Sequence, residues 1–213
     1  MTPVVCLITD RARVGGADGT VERVRWAASA GVHLVQVRER DLDGGPLTAL
    51  VRRCVEAVRG SRARVLVNDR LDVALAAGAH GVHLRADSMP ARRVRTMCPP
   101  GFLIGRSVHA RAEAIDAAAA GGLDYLLFGT VFPTPSKPGR EAAGASALAD
   151  VVAAAPIPVL AVGGMTADKV GDVAAAGAAG FAAIGMFAAE SEAEVWQAVR
   201  SWTHSNAARS TAS

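Results

Sequence analysis

Ala28-Ser-Ala-Gly31 runs directly into Val32-His-Leu-Val-Gln-Val37. An alanine-rich segment of helical character stops at a glycine, and an apolar segment follows with no linker. Glycine suits the left-handed position just past a helix and permits a tight turn into a strand. The same phrase returns three times: Ala76-Ala-Gly78 before Gly81-Val-His-Leu84, Ala120-Gly-Gly122 before Tyr125-Leu-Leu-Phe128, and Ala175-Ala-Gly177 before Gly180-Phe-Ala-Ala-Ile184. Short continuous apolar runs are what strands covered on both faces require.

Four further strands fit between these: Val4–Ile8, Val65–Val67, Leu103–Ser107 and Val159–Val162. The segments that follow read as helices: Thr20–Ala30, Pro46–Arg59, Val73–Ala77, Pro90–Met97, Arg111–Ala120, Ser146–Ala154, Ala167–Ala176 and Glu192–Trp202. Eight strand–helix units predict an α/β fold, a single-domain (β/α)8 TIM barrel over residues 1–204, with 205–213 a polar, flexible C-terminal tail. An open doubly wound sheet is the main rival. It usually carries a glycine-rich dinucleotide turn after its first strand, whereas Thr9-Asp10-Arg11 follows Ile8 here.

Hydrophobic residues make up 51% of the chain but aromatics only 4%, so alanine, valine and leucine must build the core. No apolar run approaches a membrane span, and no signal-peptide pattern opens the chain. Cys6, Cys54 and Cys98 are scattered without metal-ligand spacing, as in reduced cytoplasmic proteins. The net charge of +3 comes with no basic stripe and a single tyrosine, which argues against a nucleic-acid partner. A small anionic substrate fits better.

In a barrel of this kind chemistry lies just past the C-terminal ends of the strands. Gln36, Arg38 and Arg40 alternate there after the second strand, so they share a face. Outward arginines would be buried under helices without partners, so the expectation is that they grip an anion at the mouth. Asn68-Asp69 could bind Mg²⁺ or cap the next helix. Arg106 and Ser107 end the fifth strand, and His109 follows as the best candidate for a general acid or base, because imidazole titrates near neutral pH. His83 reads as a core histidine, and His33 and His80 lie on the opposite face. After Phe128, three prolines stiffen a loop that holds Thr134, Ser136 and Lys137, one of only two lysines in the chain. Gly163-Gly164 and Gly185-Met186 follow the last two strands, where barrels commonly bind phosphate.

Val35-Gln-Val-Arg-Glu-Arg40, Val67-Asn-Asp-Arg-Leu-Asp-Val-Ala-Leu75, Gly81-Val-His-Leu84, Ile104-Gly-Arg-Ser-Val-His109, Phe128-Gly-Thr-Val-Phe-Pro-Thr-Pro-Ser-Lys137 and Ala161-Val-Gly-Gly-Met165 together resemble the thiamin-phosphate synthase/TenI superfamily. The resemblance covers nearly the whole chain and implies a barrel, usually a homodimer, that binds a small phosphorylated thiazole. Two activities separate within it. The synthase joins hydroxymethylpyrimidine diphosphate to thiazole phosphate. It would hold the diphosphate through Gln36, Arg38, Arg40 (where a lysine is usual), Asn68 and Lys137, and would hold Mg²⁺ through Asp69 and a second Asp after the fourth strand. The tautomerase aromatises a thiazole carboxylate phosphate by proton transfer without a cofactor. Here Arg85-Ala-Asp-Ser88 departs from the synthase's Gly-Gln-x-Asp, so that Ser88 replaces the second carboxylate. Gly105–His109, Phe128–Phe132 and Gly163–Thr166 look like the tautomerase. The expectation is therefore an isomerase, a thiazole tautomerase in which His109 shuttles the proton, glycines 163, 164 and 185 hold phosphate, and Arg38, Arg40 or Arg106 pairs with the carboxylate. The alternatives are the synthase and a non-catalytic, phosphate-binding or regulatory barrel.

Overall fold

The computed structural model describes residues 4–134, 139, 141–188, 192–193, 196–197 and 199–200. Eight parallel strands pair in chain order: β1 (Val4–Ile8), β2 (Leu34–Val37), β3 (Arg64–Asn68), β4 (Gly81–Leu84), β5 (Leu103–Val108), β6 (Tyr125–Phe128), β7 (Val159–Val162) and β8 (Gly180–Ala183). β8 returns to β1 with Val4 opposite Gly180, which closes the barrel. Helices α1 (Gly16–Ser29), α2 (Gly44–Ala57), α3 (Leu71–Ala76), α4 (Ala91–Arg95), α5 (Arg111–Ala120), α6 (Gly144–Ala154) and α7 (Val170–Ala175) lie between successive strands. The fold is the (β/α)8 barrel anticipated from the repeated helix–glycine–strand phrase.

The differences are at element ends. The second strand starts at Leu34 rather than Val32, because the Val32 N–H still donates to Ala27 O and completes the preceding helical turn. Residues 167–176 divide into a 3-10 turn, Ala167–Lys169, and α7. A further 3-10 turn, Gly185–Phe187, follows β8. The helix expected at 192–202 falls only partly within the described residues, and the tail at 205–213 falls outside them.

Strand alternation divides the core in two. Val5, Val35, Val67, Ile104, Leu126 and Phe181 point outward into the layer shared with helix residues such as Val24, Val51, Ala74 and Leu148. Cys6, Ile8, Leu34, Leu66, Tyr125, Leu127, Leu160 and Ala182 form a second cluster inside the barrel. Burial raises the Cys6 thiol to about 12, which keeps it protonated and unreactive. At the N-terminal end, His33 and His80 each accept a strand N–H at Nδ1, from Val5 at 3.3 Å and from Val65 at 3.0 Å. Both are structural.

Phe181 is fully buried where β8 meets the helical layer. Phe181→Ala should destabilise the protein by about 3–5 kcal/mol, read from the urea midpoint, whereas the exposed Leu75→Ala should change it by less than about 0.5 kcal/mol.

Candidate active site

The lumen is polar on one side and apolar on the other. Gln36 on β2 and Asn68 on β3 face each other inside it, the amide of Gln36 donating to Asn68 Oδ1 at 3.0 Å. His83 on β4 is 1% exposed, with Nδ1 3.0 Å from the Tyr125 hydroxyl and Nε2 2.8 Å from Ser107 Oγ. His83, Gly105 and Tyr125 lie in one lateral row across β4, β5 and β6. A Cβ on Gly105 would come 2.0 Å from the Tyr125 ring. The missing side chain on the middle strand is what lets Tyr125 reach across it to His83. Burial, with Arg106 and Arg38 nearby, lowers the His83 pKa to about 3, so the ring is neutral. Across the lumen, Leu160, Val162, Ala182 and Ile184 offer only apolar surface.

Beyond β2 the chain meets a buried acid. Glu39, 6% exposed, accepts from the Thr9 hydroxyl at 2.5 Å and from Arg11 N, and Thr9 Oγ1 accepts in turn from Arg38 N at 3.0 Å. This ties the loop after β1 to the loop after β2 and fixes the main chain at Arg38. Arg38 is half-buried and enters no ion pair among the described residues. Its pKa is lowered by burial and then by Arg40, partly offset by Asp10 and Glu39. Gln36, Arg38 and Arg40 do not keep a single face. The ladder ends at Val37, and Arg40 turns to a cavity of about 200 Å³ lined also by Asn68, Asp69, Arg70 and Arg85.

Asp69 has φ of 59°, an uncommon backbone conformation held by its N–H donating to His83 O at 2.9 Å. One of its carboxylate oxygens accepts from the Ser88 hydroxyl, and the other lies 3.8 Å from Arg85 Nη1. The Arg106 guanidinium donates to the carbonyls of Ala86 at 3.1 Å, Ser88 at 3.3 Å and Met89 at 2.5 Å. It holds the loop after β4 in place.

On the opposite side of the barrel a larger cavity, about 490 Å³, is lined by Thr130, Pro133, Thr134, Gly163, Gly164, Met165, Thr166, Gly185 and Met186. Val131 and Phe132 donate to Val162 O and Gly163 O, zipping the loop after β6 onto the loop after β7. Gly163 and Gly164 have φ of 102° and 63°. A Cβ at Gly163 would come 2.6 Å from Thr130 Cγ2, and one at Gly164 2.4 Å from Pro133 O, so both must be glycine. The N–H groups of Gly164 and Met165 donate to no main-chain acceptor among the described residues. Ser136 and Lys137 lie outside the described residues.

His109 lines neither cavity. Its Nδ1 donates to Gly129 O, and its main-chain N–H donates to Glu113 at 2.7 Å. Ser107 sits in the lumen and Met186 in the large cavity. Sequence reasoning missed Glu39 and Tyr125. Glu39 stood out only as an acid between two arginines, and Tyr125 was legible only as an apolar strand residue.

Residues 5–187 match the family model described as thiamine monophosphate synthase. The chain belongs to that family. A putative thiamine-phosphate synthase of Geobacter sulfurreducens is 44% identical over 185 residues, 86% of each chain. The thiamine-phosphate synthase of Methanoculleus marisnigri is 42% identical over 196 residues, covering 92% of this chain and 91% of its own. A solved thiamine phosphate pyrophosphorylase from Pyrococcus furiosus superposes with a TM-score of 0.83 at 31% identity, covering 95% of this chain and 96% of that one. These relatives overturn the expected tautomerase and isomerase class. They carry the synthase name, a transferase, at identities spanning most of the chain. The proton-shuttling role expected of His109 falls with that reading. The motifs taken as tautomerase-like have packing tasks here: Gly105 admits Tyr125, and His109 donates to Gly129 O.

The buried imidazole sets a pH response. His83 titrates near 6.5 when unfolded and near 3 when folded, so between these values only the unfolded chain takes up the proton. Its contribution is fully present above about pH 6.5 and is lost as pH falls toward 3. Urea denaturation should show stability falling from pH 6.5 to 5, and His83→Gln should reduce that slope, leaving the part that His33 and His80 contribute.

Proposed function

We propose that this chain joins a pyrimidine diphosphate to a thiazole phosphate and releases pyrophosphate. The observation that carries this reading is the pair of separate cavities. The glycine-lined one belongs to the loops after β6, β7 and β8 with Arg13 from the loop after β1, the arginine-lined one to the ends of β2, β3 and β4, and no residue lines both. A reaction between two phosphorylated partners needs two anion sites across one lumen, and the synthase relatives favour that reaction over one on a single carboxylate phosphate, which would also occupy both.

In this reading Gly163, Gly164 and Gly185, with Thr134, hold the thiazole phosphate. Arg38, Arg40 and Asn68 hold the diphosphate, and Gln36 and Ser107 face the reacting atoms from the lumen. Ser136 and Lys137 belong to the same reading. The thiazole nitrogen forms a bond to the pyrimidine methylene carbon as the carbon–oxygen bond to the diphosphate breaks, and pyrophosphate leaves with that electron pair. Guanidinium groups stabilise the charge that develops on it. A homodimer and a cytoplasmic location are part of the proposal. Among the described residues no helix is long and apolar enough to cross a membrane.

The synthase resemblance also implies Mg²⁺. The residues present do not fit it well. Asp69 has a hydroxyl on one oxygen and a guanidinium near the other, Asp87 is paired with Arg85, and no cluster of three acidic, histidine or cysteine side chains occurs among the described residues.

Purified protein given hydroxymethylpyrimidine diphosphate and thiazole phosphate should form thiamin phosphate and pyrophosphate in equal amounts. Arg38→Ala should lower kcat/KM about 10–100-fold, the loss expected for a hydrogen bond between charged groups. Gly163→Ala should chiefly raise KM for the thiazole phosphate. Absence of thiamin phosphate under all conditions would sink the proposal.

A further inference from the structure

We infer that Arg85 is a resident cation of the diphosphate pocket and binds the leaving group's oxygens directly, without a divalent ion. The identity of the anion rests on the synthase reading. The case for the cation rests on the loop itself.

Arg85 opens the loop after β4, at the rim of the arginine-lined cavity. Its Nη2 lies 2.5 Å from Asp87 and its Nη1 3.8 Å from Asp69. A guanidinium has five N–H donors, so these two contacts leave several for a ligand, and the side chain is 49% exposed. The loop is braced rather than loose. Arg106 grips three of its carbonyls from below, and Ser88 Oγ accepts from Arg85 N at 2.9 Å while donating to Asp69. The main chain that carries Arg85 is therefore set before any ligand arrives.

The charges around the cavity point the same way. Arg40, Arg70 and Arg85 line it with two acids, Asp69 and Glu39, while Arg70 is paired with Asp72 and Arg85 with Asp87 from outside the lining. Glu39 is already engaged by Thr9 and Arg11. Arg40 enters no ion pair among the described residues. A divalent ion at Asp69 would share the carboxylate with the Ser88 hydroxyl and sit beside the Arg85 guanidinium, against like-charge repulsion. An oxyanion meets the opposite situation, with guanidinium forks that match phosphate geometry.

The test is calorimetric titration of inorganic pyrophosphate into the full chain, in EDTA and in Mg²⁺, alongside electron paramagnetic resonance of added Mn²⁺. The wild type should bind pyrophosphate in EDTA with an affinity within about 3-fold of that in Mg²⁺. Arg85→Ala should weaken the EDTA value at least about 10-fold, with Arg85→Lys intermediate. The double variant Arg85→Gly with Ser88→Asp should bind Mn²⁺ at concentrations where the wild type does not. Pyrophosphate binding that needs Mg²⁺, or that is unchanged in Arg85→Ala, overturns the inference. Thiamin phosphate formed only with Mg²⁺ overturns it while leaving the synthase reading intact. Metal-free, Arg85-dependent pyrophosphate binding without any thiamin phosphate upholds the cation and removes the synthase.

Discussion

Closing eight parallel strands leaves every second side chain with no destination but the lumen, and the whole molecule follows from how that space is filled. Helices cover the outer face, so those positions must be apolar, and they are mostly valine and leucine with Ile104, Phe128, Phe181 and a few alanines. The lumen has no such uniformity. Leu160, Val162, Ala182 and Ile184 fill the β7–β8 side, while Gln36, Asn68, His83 and Ser107 face inward from β2 to β5. Polar groups inside a barrel are costly unless paired, and of these only Gln36 Oε1 is buried without a partner. Gly105 makes the most demanding of these pairings possible, since any side chain there would bar Tyr125 from His83.

This asymmetry carries up to the mouth. Above the apolar side, the tightly interlocked loops after β6 and β7 line a cavity with glycine backbone and little charge. Above the polar side, cations converge, and the acids among them are already held: Glu39 by Thr9 and Arg11, Asp69 by Ser88 and Arg85. One side offers main-chain N–H groups with a single guanidinium, Arg13, and the other several guanidinium groups. Both suit phosphate, but through different chemistry, so two phosphorylated ligands can be told apart by the group that each buries alongside its phosphate.

The barrel was legible because its signals are local. Helix, glycine and apolar strand adjoin in sequence, and the strands at 4–8, 81–84, 125–128 and 159–162 needed no partner to be recognised. The glycine pairs and Arg38 were legible for a similar reason, since their position at strand ends is a local fact. Partnership was not. His83 and Tyr125 are 42 positions apart, and Thr9 and Glu39 are 30 apart. Arg106 looked like a ligand-binding arginine because the carbonyls that it grips, at 86, 88 and 89, became its neighbours only when β4 and β5 paired.

The choice of reaction failed for that reason too. Gly105 through His109 resembles a catalytic string when read alone. In the fold its glycine answers to Tyr125, its arginine to the neighbouring loop and its histidine to Gly129. The departure at residues 85–88 was read as the loss of a metal carboxylate, and so as the loss of the reaction that would use it. The geometry is compatible with a replacement, as proposed for Arg85. Ser88 keeps a polar contact with Asp69, and Arg85 brings positive charge to within 3.8 Å of the same carboxylate. A site that must neutralise an anionic leaving group can obtain that charge from an ion or from a side chain. Losing a ligand to the ion is therefore no argument against the chemistry when the same four residues supply the charge.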